Sequence, residues 1–152
     1  MEQIEFTAQQ RPTDIYAMVG LDAYQSGDYE GARAIFETGL AMARDEGDTE
    51  TIISFLNNLA AVYDALETPA EAEEAFQEAL CVAVQKLGAT HPRLSGLLHN
   101  YAVLLSRHED ELLAEGMHAC AEAMHLHTYR YLPYALFESK APGLHELIEQ
   151  VA

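Results

Sequence analysis

The sequence predicts an all-α protein: about three helix-turn-helix repeats wound into a right-handed superhelix and closed by C-terminal capping helices. Three observations carry that reading. Residues 16–23, 56–63 and 98–105 superpose, each with large or apolar side chains at the first, fourth and eighth places and a small residue at the fifth. That spacing is one apolar stripe of a helix with a notch in it. The notch falls at Gly20, Ala60 and Ala102, forty and forty-two residues apart, and other residues keep the same phase. Twelve residues past each notch stands Ala32, Ala72 or Ala114, then four further on Phe36, Phe76 or His118, then Gly39, Ala79 or Ala121. Finally, cap residues and glycine stops recur at matching places.

Those punctuation marks delimit helices over 13–26, 29–46, 49–66, 69–87, 91–107 and 110–128. Ser26-Gly27-Asp28 is a tight turn ending on an N-cap residue, and Thr68 and Asp110 stand at the equivalent place. Thr68-Pro69-Ala70-Glu71 reads as a capping box with proline at the first helical position. Gly47 stops one helix and offers Asp48 or Thr49 as the next cap. Gly88 stops another and offers Thr90 or His91. The chain thus divides into an N-terminal extension over 1–12, repeats over 13–47, 48–88 and 89–128, and a tail over 129–152. The aromatic stretch 129–137 and a short helix opening at Pro142 are expected to cap the last apolar face. The alternative is a self-assembling unit that forms a homodimer through that aromatic segment.

Charge narrows the partners. The 152 residues hold 25 acids against 8 lysines and arginines, a net charge of −17. Such a field repels nucleic-acid phosphates and anionic lipid, so a neutral or basic protein or peptide is the expected partner. Cys81 and Cys120 form no Cys-x-x-Cys pair and read as small buried thiols in a reduced compartment. Residues 1–10 lack the pattern of a signal peptide, and no apolar run spans a bilayer, so a cytoplasmic location is expected.

The spacing Tyr16-x-x-Val19-Gly20-x-x-Ala23 followed by Ala32-x-x-x-Phe36 resembles the tetratricopeptide signature. The long step, the segment Leu56-Asn57-Asn58-Leu59-Ala60 and Leu87-Gly88-Ala89-Thr90-His91-Pro92 resemble the kinesin light chain-type subfamily. Ala23, where an aromatic is usual, and His118, in place of the wedge aromatic, depart from it. The resemblance implies a non-enzymatic module that binds proteins or peptides, with asparagines on the groove wall meeting an extended backbone.

In such a superhelix the first helix of each pair lines the concave side. The stripe facing away from the second helix holds Ala17, Leu21 and Tyr24, then Asn57, Ala61 and Asp64, then His99, Val103 and Ser106. Asn58, Asn100 and Arg107 adjoin it. The candidate groove residues are therefore Tyr24, Asn57, Asn58, Asp64, His99, Asn100, Ser106 and Arg107. An asparagine amide can donate to and accept from a peptide backbone at once; it can equally bond between neighbouring helices. Asp64 stands against Arg107 without a lysine or arginine cluster, so a clamp for an acidic C-terminus is not expected.

Nothing in the sequence points to catalysis: it has no Gly-rich phosphate loop, nucleophile elbow or carboxylate pair. His118 and Cys120 are two residues apart and lie on different helix faces, so neither a metal site nor another cofactor is expected.

Overall fold

The structure, a computed structural model, describes residues 10–88, 91–108 and 114–115. Five helices follow one another: α1 (Pro12–Gln25), α2 (Tyr29–Glu46), α3 (Thr49–Ala65), α4 (Pro69–Leu87) and α5 (Pro92–Arg107). Each lies within a residue of its expected range. The expected sixth helix over 110–128 and the tail over 129–152 lie outside the described residues, apart from Ala114 and Glu115.

The helix ends follow from their caps. The Asp28 carboxylate accepts from the Gly31 N–H at 2.9 Å and starts α2. Asp48 accepts from the Thr51 N–H at 3.2 Å and starts α3. Before α5, Nδ1 of His91 accepts from the Arg93 N–H at 3.2 Å. Gly47, in the left-handed region with φ 69°, closes α2. The expected capping box at α4 does not form. The Thr68 hydroxyl turns back and donates to the Tyr63 carbonyl at 3.0 Å, closing α3 rather than opening α4.

The start of α1 carries a tie that the repeat pattern did not foretell. The Asp14 carboxylate accepts from the Arg11 backbone N–H at 3.2 Å, and the Arg11 guanidinium reaches Asp48 at 2.5 Å. One arginine thus staples the first turns of α1 and α3 together. The Arg11 side chain holds the Asp14 carboxyl below its usual range. Asp48 is lowered too, first by the Thr51 hydroxyl and then by Arg11.

Each helix packs on the next in the chain, and α1 also touches α3. The notches work as the sequence implied. At Gly20 a methyl group would meet the Phe36 ring, with Cδ1 at 2.6 Å and Cε1 nearer still. Phe36 is only 1% exposed, and its ring lies 6.1 Å from that of Phe55. One repeat on, Ala60 and Ala72 are wholly buried beside Phe76, which stacks on Tyr101 at 5.4 Å. The buried Tyr101 hydroxyl donates to Glu73 at 2.6 Å and accepts from Gln77 at 3.1 Å, so its burial leaves no polar group orphaned. Cys81 is half-buried rather than buried; Cys120 lies outside the described residues.

Candidate protein-binding groove

Helices α1, α3 and α5, the first members of each pair, enclose a hollow of about 730 Å³. Its apolar lining comes from Ala17 and Leu21 on α1, Ile53 on α3 and Leu97 on α5. Leu21 is 42% exposed, an uncommon state for a large apolar side chain on a helix whose neighbours bury theirs. Asn57, Asn58 and Asn100 supply the polar lining.

A ladder of three side-chain ties joins α3 to α5 along this face. Arg93 Nε pairs with Glu50 at 3.0 Å, and its guanidinium also donates to the Ser54 hydroxyl at 2.7 Å. Asn100 Nδ2 donates to Asn57 Oδ1 at 2.8 Å. Arg107 pairs with Asp64, whose other oxygen lies 3.2 Å from His108 Nε2. The rungs recur every seven residues on both helices, two turns or about 10.5 Å apart. Beyond the middle rung lies a smaller hollow of about 230 Å³, lined by Tyr24, Asp64, Val103 and Arg107 among others.

Six of the eight candidate residues therefore line one or both hollows: Asn57, Asn58 and Asn100 the larger, and Tyr24, Asn57, Asp64, Asn100 and Arg107 the smaller. His99 and Ser106 line neither. His99 is exposed one place before Asn100, and the Ser106 hydroxyl donates to the Ala102 carbonyl of its own helix at 2.9 Å. The sequence pointed to the repeat-equivalent position opposite Asn57, but the tie falls one residue later. Of the two roles open to Asn57 and Asn100, the structure realises the bond between helices. Glu50, Ser54 and Arg93 were missed, although Glu50 and Arg93 stand at the same offset of 43 as Asp64 and Arg107.

On the opposite side, α2, α3 and α4 form a cleft of about 310 Å³ with Glu37, Glu71, Glu74 and Glu78 around an apolar floor of Leu40, Leu56 and Leu59. Arg44 is bonded to Glu78 there. Tyr63 donates to Glu37 at 3.1 Å, and burial, followed by that carboxylate, raises its phenol pKa. Among the described residues no three histidine, cysteine or acidic side chains converge as metal ligands. His118, His125, His127 and Cys120 lie outside those residues. No described helix is long and apolar enough to cross a membrane.

Residues 52–93, which run from α3 through α4 to the start of α5, match the model of the tetratricopeptide repeat. The chain thus carries a tetratricopeptide repeat over those residues. The matched window holds one helix pair with the notch Ala60 and the wedge Phe76, the copy in which the signature is most complete. Repeats of this family generally serve protein interaction or scaffolding and are generally non-catalytic. No curated protein matches the chain. Among solved structures it is similar to BtubC (BKLC) from P. vanneervenii, with a TM-score of 0.62 and 21% identity over 96% of this chain. The chain spans 63% of that structure's length, and at this identity the likeness is one of fold.

Proposed function

We propose that this chain is a non-enzymatic adaptor that binds a neutral or basic protein through a short peptide laid across α1, α3 and α5. The observation that carries the proposal is the hollow of about 730 Å³, large enough for a ligand and lined by three helices of different repeats. Exposed Leu21 at its edge is an apolar anchor left without a neighbour to bury it fully. The Asn57–Asn100 pair uses only part of each amide's bonding capacity, so a peptide backbone can bond to the same two side chains without breaking the rung. Net charge of −17 selects against acidic partners.

Peptide display on the full chain, followed by titration calorimetry of the selected sequences, tests this. Leu21→Asp is expected to weaken binding at least tenfold while leaving the circular dichroism spectrum and melting temperature unchanged. Selected peptides that bind Leu21→Asp as tightly as the parent would place recognition elsewhere.

A further inference from the structure

We infer that the smaller hollow, beyond the Asn57–Asn100 rung, is a pocket for one lysine or arginine side chain of the partner, with Asp64 as its counter-charge. The inference rests on the groove reading above and names the partner residue that fits its far end. At about 230 Å³ the hollow is below the ~300–1,000 Å³ of whole-ligand pockets, and so takes a side chain rather than a peptide. Its walls mix Tyr24 and Phe76 with Val103 and Leu104, surfaces suited to the aliphatic stem of a basic residue. A cation beside the Tyr24 ring also gains from its negative face.

Asp64 distinguishes this place from the rest of the groove. Its side chain is 15% exposed, whereas Glu50 on the first rung is 53% exposed. An inward carboxylate is less screened by solvent and holds a cation more firmly. Arg107, its present partner, is 63% exposed, and ion pairs with one partner so open to water contribute little and yield to a competitor. A carboxylate offers about four lone-pair sites, and Arg107 and His108 use one on each oxygen, so a third donor can also be shared. Arg107 thus behaves as a tethered stand-in for the ligand's cation. Charge points the same way: all five arginines of the described residues are already paired with acids, so an anionic side chain meets no unpaired guanidinium.

The test is a nitrogen-proton NMR titration of the full chain with N-acetyl-lysine methylamide and N-acetyl-arginine methylamide. The norleucine and glutamate derivatives serve as controls. Saturable shifts at Tyr24, Asp64 and Val103 are expected with the two cations and not with the controls. Asp64→Asn is expected to abolish them. Arg107→Gln, at a side chain 63% exposed, is expected to tighten the cations severalfold by removing the tethered competitor. Equal shifts from norleucine, or weaker cation binding in Arg107→Gln, would overturn the inference. Glutamate binding that disappears in Arg107→Gln would instead make Arg107 a receptor for acidic side chains. The Leu21→Asp titration reports separately on the groove. Peptides sensitive to it that show no gain from a basic residue would sink the pocket and leave the groove standing. Cation binding without any Leu21-sensitive peptide would sink the groove reading.

Discussion

Replacing Gly20 with alanine puts a methyl group where the Phe36 ring already lies, 2.6 Å from its Cδ1. The ring has little room to retreat: Phe36 is buried and tilted against Phe55 at 59°. Two effects oppose each other. Alanine is preferred to glycine in a helix by about 0.8–1 kcal/mol. Forcing extra volume into a packed core costs typically ~1–3 kcal/mol. With contacts this short the second wins, and Gly20→Ala is expected to lower stability by about 1–2 kcal/mol. Gly96 is the internal control, because a methyl group there meets nothing within 4 Å. Gly96→Ala is expected to raise stability by up to about 1 kcal/mol. Urea denaturation midpoints, with slopes held equal, read both changes. In a Phe36→Leu background the Gly20→Ala penalty should shrink, giving a coupling of at least ~0.5 kcal/mol. If Gly20→Ala stabilises as Gly96→Ala does, the notch-and-wedge account of the first repeat is wrong.

Phe76→Ala is expected to cost about 3–5 kcal/mol, since it empties a site stacked on Tyr101, and Phe36→Ala somewhat less because the first repeat has one neighbour. Chemical denaturation of the two variants checks the order. Glu67 holds φ 60° at the turn where the first repeat has Gly27 at φ 84°, so Glu67→Gly should raise the unfolding free energy by about 0.5–1 kcal/mol once glycine's entropy is set against the relieved strain. A melting temperature that falls would contradict it. The Arg11 staple predicts an acid response. Asp14 and Asp48 both have folded pKa values below their ordinary 3.8. Their contribution is therefore complete above that value and is lost as pH falls through the lower, folded ones. Arg11→Ala should flatten the stability curve in that acid window and leave its shape near neutrality unchanged; an identical acid limb would remove the staple from the account.

Helix positions were legible because glycine stops and acidic caps act locally. Gly47, Asp28 and Asp48 each do their work within three residues, and the notch-wedge pairs repeat at a fixed step. Thr68 misled for an equally local reason. Its hydroxyl had two backbone groups in reach, and closing α3 at the Tyr63 carbonyl won over opening α4. The larger hollow is lined by α1, α3 and α5, the helices the repeat pattern named, but the ties between them fall in another register. Repeat alignment pairs Asn57 with His99, but neighbouring helices sit displaced, and the side chains that meet are one residue apart from equivalence, as Asn100 and Arg107 are. The Arg11–Asp48 tie was not legible, because it joins residues at helix starts that share no repeat position.

The central claim, that the face formed by α1, α3 and α5 receives the partner, is tested most directly by photo-crosslinking. A benzophenone amino acid is placed at exposed Ala61 in the smaller hollow, and separately at exposed Glu74 beside the α2–α4 cleft. Each protein is illuminated with the tightest display-selected peptide. The account predicts a covalent adduct from position 61 that excess unlabelled peptide suppresses, and none from position 74. Adducts from position 74 alone would move recognition to the acidic cleft and contradict it.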